Sequence, residues 1–254
     1  MKKNPIKRFF SAIWTGITNF FMFLAFSIAY ILAKPFIKCK VIGKKKVSKI
    51  DEARVFITNH YEIYGPIVVF LRFPFKFRPW IHNKMLSPKE VEEQMSIGIY
   101  GKYPKYPRWM KKIAVKLLKN IMVYTLNKRA KGIAVYRDNP RANIQTMRDS
   151  MDTLEKRKNI LIFPELTYVD EGIGEFQTGF EHLAKFYYQK TGKKITFYPM
   201  FISHKNRKMY IEDPITFNPD NDSNEEKLRI TTYLHDTMVN SYFTNEVENI
   251  NDKK

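Results

Sequence analysis

Short apolar runs that alternate with helix-like segments constrain the fold of this chain most strongly. The runs are rich in Ile, Val and Phe, as expected of strands buried on both faces. They are ARVFIT (53–58), GIAVYR (132–137), NILIFP (159–164) and ITFYPMFIS (195–203). Helix-like segments separate or follow them at 139–158, 178–192 and 223–239. This alternation predicts an α/β fold with a mixed, mostly buried central sheet flanked by helices.

Local signals mark the ends of these helices. Asn139 and Pro140 form a start signal, and Gly192 is a typical stop residue. Ser223 and Glu226 have the spacing of a capping box, which predicts a helix that begins there.

The N-terminus carries a long uncharged run. No charged residue occurs from Phe9 to Ala33, and a helix of that length reaches across roughly 30 Å of hydrocarbon. The run leads into more basic sequence and not into a small-residue cleavage site, which argues against a cleaved signal peptide. We expect residues 1–46 to be a membrane-anchoring helical segment and residues 47–254 to be the α/β domain.

The placement of that anchor is left open by its flanks. Basic residues on both sides do not fix an orientation, so the segment either spans the bilayer or lies within one leaflet; a buried core helix is the alternative.

Cys39 is the only cysteine, which excludes an intramolecular disulfide, a C-x-x-C motif and a four-cysteine zinc site. A reducing compartment follows, and we expect a cell-membrane location with the active site facing the cytoplasm.

The charge balance predicts a polyanionic partner. Lys and Arg number 44 against 25 Asp and Glu, a formal net charge of +19. An amphipathic segment at 108–123 places Met110, Ile113 and Leu117 on one face, with lysines elsewhere on the helix. Such a helix suits either an anionic membrane surface or a core-covering position with a solvated basic face.

Polar residues follow three of the predicted strands. His60 comes after 53–58, Arg137 ends 132–137, and Glu165 comes after 159–164. Because α/β sheets gather their ligand sites at the carboxyl ends of their strands, these side chains are expected to converge on one sheet edge. That set is typical of a phosphate-recognising transferase. No Walker loop, metal-ligand spacing or nucleophile elbow occurs, so no metal is expected.

Four blocks in order, NHYEIYGP, GIAVYR, FPELT and TFYPMFIS, resemble those of the glycerolipid acyltransferases, whose best-known members acylate 1-acylglycerol-3-phosphate (lysophosphatidate). The resemblance implies an O-acyltransferase of phospholipid biosynthesis with His60 as general base. It implies phosphate binding by Arg137, and positioning of the acceptor by Glu165 and Thr167. Asn59 and Pro164, in the same blocks, complete the expected substrate-binding set, and Tyr198 and Pro199 map to a strand that shapes the acyl pocket.

The resemblance also implies the partners. The acyl donor is acyl-CoA or acyl-carrier protein as co-substrate, the acceptor is a lysophospholipid, and no separate cofactor is expected. Anionic membrane lipids are the expected surroundings. A nucleic-acid partner is not expected, because the chain lacks a nucleic-acid motif and carries an uncharged N-terminal run.

The chain departs from the family in two blocks. Gly65 stands where the first block has an aspartate that orients the histidine, and we hypothesise that Glu62 replaces it as the second catalytic residue. In the third block Leu166 and Tyr168 replace a glycine and an arginine, so an acceptor other than lysophosphatidate is compatible with the sequence. A catalytically silent relative that binds phospholipid or a membrane partner is the alternative function.

Overall fold

The computed structural model describes residues 17–18, 20–21, 23–24, 26–28, 30–32, 34–48, 52–61, 64–102, 104–136, 139–166, 169 and 171–247. The described chain forms two compact units. The larger unit combines Ile37–Ile81 with the chain from Ile133 onward, and the smaller combines His82–Gly132 with the described residues up to Phe36.

The larger unit is built on one mixed sheet. In the described part of the chain its eight strands are β1 (Lys40–Ile42), β2 (Ala53–Thr58), β3 (Phe77–His82), β4 (Ile133–Val135), β5 (Asn159–Ile162), β6 (Ile195–Ser203), β7 (Lys208–Ile211) and β8 (Ile215–Thr216). The strand order is β1-β7-β6-β2-β5-β3-β4, and β8 pairs with β6 beside this path.

The centre of the sheet is parallel. β2 pairs in parallel with both β5 and β6, and β3 pairs in parallel with β5. β7 and β8 run antiparallel to β6. The three central strands therefore end at the same edge, which is where the candidate site lies.

Helices cover both faces of this sheet. They are α1 (Tyr64–Arg72), α4 (Asn143–Glu155), α5 (His182–Thr191) and α6 (Ser223–Tyr242), while the smaller unit holds α2 (Pro88–Lys102) and α3 (Arg108–Tyr124). All nine residues of β6 are buried, because alternate side chains enter two separate hydrophobic clusters. Phe197 packs with residues of α5 and α6, and Tyr198 packs on the opposite face with Val68 and Val69 of α1.

In the smaller unit α2 and α3 pack together, and a π-helical turn (Thr125–Arg129) continues α3. The N-terminal residues described between 17 and 32 are helical, and the Arg129 guanidinium lies 5.2 and 5.4 Å from the ring centroids of Phe23 and Phe26. Part of the predicted anchor falls outside the described residues. Among those that are described, we find no helix with the length and apolar character needed to cross a bilayer.

The predicted fold class is confirmed as a mixed α/β structure whose central sheet is flanked by helices. The predicted capping box is wrong: the Asp222 side chain caps α6 by accepting from the backbone N–H groups of Asn224 and Glu225. Glu226 instead pairs with Arg229. The domain boundary at residue 46 stays a prediction.

Candidate active site

Two of the predicted polar residues, His60 and Glu165, lie at the carboxyl edge of adjacent parallel strands. Asn59 and His60 directly follow β2, and Pro164 and Glu165 follow β5 after one intervening residue. β2 and β5 are hydrogen-bonded neighbours, so the loops that leave them run side by side. The first and third sequence blocks therefore meet at one sheet edge.

The Glu165 carboxylate joins these loops. Its Oε2 accepts a hydrogen bond from the backbone N–H of His60 at 2.5 Å, and its Oε1 accepts one from the backbone N–H of Gly174 at 3.0 Å. Glu165 is buried, with 8% of its surface exposed, so both bonds form away from bulk water. One side chain thus fixes the backbone of His60 against the chain segment that follows β5.

That segment folds back on itself. The Leu166 N–H donates to the Glu175 carbonyl at 3.0 Å, and the Gln177 N–H donates to the Pro164 carbonyl at 2.7 Å. These bonds bring Gly174 to the Glu165 carboxylate. The role of Gly174 was not predicted, because the sequence signal there, a short Gly-Ile-Gly run, resembles only a weak nucleotide-binding pattern.

The electrostatic state of Glu165 reflects competing effects. Burial raises the pKa of its carboxyl, while the backbone N–H donors of His60 and Gly174 and the nearby His235 lower it; burial is the larger effect and the net shift is upward.

The His60 side chain is accessible from outside. His60 is exposed, and its ring lies edge-to-face with Phe163, with the centroids 5.1 Å apart. The next residue, Tyr61, stacks on His204, with a centroid distance of 4.9 Å. His204 follows β6, so the third central strand also contributes to this edge. Nothing in the sequence around His204 signalled this contact.

Asn59 has a clear contact with the neighbouring strand. Its side-chain oxygen accepts from the Ile202 N–H at 2.8 Å, and its side-chain nitrogen donates to the Ile202 carbonyl at 3.2 Å. The pair extends β2–β6 pairing one residue beyond the strand and leaves Asn59 buried. The contact fixes the backbone immediately before His60, while the predicted substrate-binding role of Asn59 stays a prediction.

Gly65, which stands where the resembling acyltransferase block has an aspartate, lies in the first turn of α1 against the His60 loop. Its N–H donates to the Tyr61 carbonyl at 2.9 Å. A Cβ at this position would lie 3.5 Å from the Asn59 carbonyl oxygen and 3.8 Å from the His60 Cα, which is ordinary van der Waals contact. A side chain here would therefore start beside His60.

Three predicted site residues, Glu62, Arg137 and Thr167, lie outside the described residues. The residue before Arg137 is held firmly: the Tyr136 N–H donates to Asn143 Oδ1 at 2.9 Å, and Asn143 Nδ2 donates to the Tyr136 carbonyl at 3.0 Å. Asn143 is thus the residue that fixes the end of β4, which sequence reasoning did not identify.

Tyr198, from the fourth block, is buried in the core. Its ring stacks on Phe56 at 5.2 Å, its hydroxyl donates to Glu52 Oε1 at 2.6 Å, and the Ser48 N–H donates to it at 3.1 Å. Burial, with the Glu52 hydrogen bond, raises the pKa of Tyr198 to about 12. These contacts stabilise the sheet below the candidate site.

A cavity of about 190 Å³ opens at the same edge. Its lining combines apolar and charged side chains: Asn59, Tyr61, Val169, Glu171, Gly172, Phe201, Ile202, Lys205, Tyr242 and Glu246. Asn59 and Tyr61 flank His60 in sequence, so the cavity adjoins the loop that carries the predicted base.

Comparisons with known proteins are sparse. No protein-family model matches the chain. No curated protein matches its sequence significantly. Among solved structures, the chain is similar to the 1-acyl-sn-glycerophosphate (LPA) acyltransferase PlsC from Thermotoga maritima, with 15% identity over 93% of this chain and 90% of that chain and a TM-score of 0.47.

Proposed function

We propose that this protein is an O-acyltransferase that moves a fatty acyl chain from acyl-CoA or acyl-carrier protein to the free hydroxyl of a lysophospholipid. His60 is the general base, and Arg137, Glu165 and Thr167 bind or position the acceptor. The observation that carries the proposal is the contact between the first and third blocks, in which the buried Glu165 carboxylate holds the His60 backbone.

The chemistry needs an accessible imidazole on a fixed backbone. The His60 imidazole takes the proton of the acceptor hydroxyl while the oxygen attacks the thioester carbonyl. The tetrahedral intermediate then expels the thiolate, which takes the proton back from the imidazolium. An ester and a free thiol result, no acyl-enzyme forms, and the base is regenerated.

The acceptor carries a phosphate in this proposal. Arg137, which directly follows Tyr136, is assigned to it because a guanidinium pairs bidentately with phosphate oxygens. Tyr136, the residue before Arg137, is anchored through Asn143. Tyr168 replaces the family's arginine, so the acceptor headgroup differs from, or is held with fewer contacts than, that of lysophosphatidate.

The substrates place the protein at the cell membrane. A lysophospholipid and its diacyl product both reside in the bilayer, and the acyl donor is cytoplasmic. We therefore assign the N-terminal apolar segment, residues 1–46, as the anchor of the α/β domain, 47–254, with the site on the cytoplasmic side. The net charge of +19 suits anionic lipids.

A catalytically silent relative that binds phospholipid is the second candidate. Gly65 favours it, because a glycine offers no carboxylate to orient the His60 imidazole. The acyltransferase assignment therefore requires Glu62 to supply that group.

The test compares variants in reconstituted membranes. Acyl transfer to a panel of lyso-lipids is measured for wild type, His60→Ala, Glu62→Gln and the control His182→Ala, which changes an exposed histidine on α5. The expected loss is at least about 100-fold for His60→Ala, in the range typical of general bases, with the control unchanged. Full activity of a folded His60→Ala protein would refute the assigned base.

A further inference from the structure

Helix α3 presents an apolar stripe whose side chains stay largely exposed among the described residues. Trp109, Met110, Ile113 and Leu117 lie within about 100° of one another around the helix axis, and each has between 41% and 65% of its surface exposed. Soluble proteins rarely leave large apolar side chains together at the surface without a binding role.

The opposite side of α3 makes the contact with α2. Val115, about 200° around the axis from Ile113, is buried, as is Val91 of α2. Lys119 on that side forms an ion pair with Glu92 of α2, with an N–O distance of 2.6 Å. The packing side and the exposed stripe are therefore different faces of one helix. A core-covering role for this helix explains the side that contacts α2 but not the exposed stripe.

Cations line one border of the stripe. Lys112 and Lys116 lie along this border, and both are exposed. α3 contains five basic residues and no acidic one. A basic border beside an exposed tryptophan-bearing stripe is complementary to a surface that has negative headgroups above an apolar interior.

A second copy of the chain fits this face poorly. Two α3 stripes in contact would place the basic borders of both helices close together, with no acidic side chain on either helix to neutralise them. The phosphates of anionic lipid neutralise the exposed Lys112 and Lys116 together.

We propose that the exposed stripe of α3 docks on the surface of an anionic bilayer, with Trp109, Ile113 and Leu117 in the headgroup region and Lys112 and Lys116 against lipid phosphates. This surface belongs to the smaller unit, and its binding to lipid does not depend on acyl transfer. It gives the protein a second membrane contact, separate from the N-terminal segment.

The experiment uses the full chain with vesicles of phosphatidylcholine alone or mixed with phosphatidylglycerol. Brominated acyl chains quench a tryptophan only when it enters the bilayer. Wild type and Trp109→Phe are compared, and the bromine-quenched emission is expected to fall in Trp109→Phe. Lys112→Gln/Lys116→Gln is expected to weaken binding to anionic vesicles about 25-fold, about fivefold for each lysine. The matched control is Lys193→Gln/Lys194→Gln, two exposed lysines of the larger unit.

An equal quenched fraction in wild type and Trp109→Phe would overturn the proposal even if the N-terminal segment holds the protein on the vesicle. So would equal effects of the two lysine pairs. A concentration-dependent dimer that Ile113→Gln/Leu117→Gln abolishes would assign the stripe to a second copy instead. Because binding is measured without acyl donor, an inactive protein that passes these tests supports the lipid-docking surface and refutes only the acyltransferase.

Discussion

The Glu165 carboxylate accepts a 2.5 Å hydrogen bond from the backbone N–H of His60, a residue 105 positions away in sequence. The bond joins the loops that leave two neighbouring parallel strands, and a second bond from Gly174 fills the other carboxylate oxygen. The position of the proposed base is thus set by a buried carboxylate that binds only backbone groups in the described structure.

Replacing Glu165 by glutamine is expected to affect both stability and turnover. The amide keeps one acceptor, but its NH₂ group faces a backbone N–H, so one buried donor loses its partner at a cost of about 1–3 kcal/mol. Urea unfolding and acyl transfer measure the two effects. Glu175→Gln, an exposed change on the partner segment, is the control and is expected to alter stability by less than about 0.5 kcal/mol. Equal stability of the two variants would show that the Glu165 carboxylate does not stabilise the fold by binding the His60 and Gly174 backbone.

Asn59→Ala is expected to destabilise the protein by about 1–3 kcal/mol, because it leaves the buried N–H and carbonyl of Ile202 without their side-chain partner. Asn224→Ala, at an exposed position of α6, serves as the comparison. Hydrogen exchange at the Ile202 amide adds a local readout and should accelerate only in Asn59→Ala. Unchanged exchange would show that the Asn59 pair does not protect this strand end.

Gly65→Asp tests which carboxylate orients His60. Glu62→Gln alone is expected to lower turnover by orders of magnitude, and adding Gly65→Asp is expected to restore part of it, because a Cβ at Gly65 starts 3.8 Å from the His60 Cα without a clash. Gly65→Asn in the same Glu62→Gln background matches the shape without the charge. Rescue by both substitutions, or by neither, would argue against an orienting carboxylate.

The buried Glu226 gives a pH-dependent contribution to stability. Burial alone would raise the pKa of its carboxyl, but the Arg229 guanidinium and the donors from Asn218 and Asn221 outweigh it, and the net shift is below the ordinary value of 4.5. The folded state therefore binds fewer protons than the unfolded state in this range, so the contribution is present above about pH 4.5 and is lost as the pH falls through the lower folded pKa.

This pH effect is measured as the difference in unfolding free energy between wild type and Glu226→Gln. The difference is expected to be largest near neutral pH and to shrink below pH 4.5. Glu225→Gln, an exposed neighbour on the same helix, is expected to show a much smaller difference at each pH. A difference that grows on acidification would reverse the assigned sign.

Strands buried on both faces were predictable from the sequence. β2 and β6 have the predicted bounds, because continuous apolar runs carry their own signal. β1 and β7 were not predicted, since each is short and begins with a lysine, and β3 contains Arg78 and Pro79. Their pairing depends on tertiary neighbours and not on local pattern.

The candidate site was predictable only in outline. The positions of His60 and Glu165 after predicted strands indicated that both lie at one edge of the sheet. The sequence does not show that Glu165 binds the His60 backbone, because that contact depends on which strands are neighbours. The same holds for Asn59 with Ile202 and for Tyr61 with His204. The capping box failed for a local reason: Asp222, one residue earlier, supplies a carboxylate cap, and Glu226 is engaged by Arg229.

The most direct test of the acyltransferase assignment is the transfer of a labelled acyl chain by membrane-embedded wild type. The protein is given acyl-CoA or acyl-carrier protein as donor and a panel of lysophospholipids as acceptors, and labelled diacyl product is measured over time. We expect catalytic turnover with at least one acceptor. Binding of phospholipid with no transfer to any acceptor from either donor would contradict the acyltransferase assignment and would identify a catalytically silent relative.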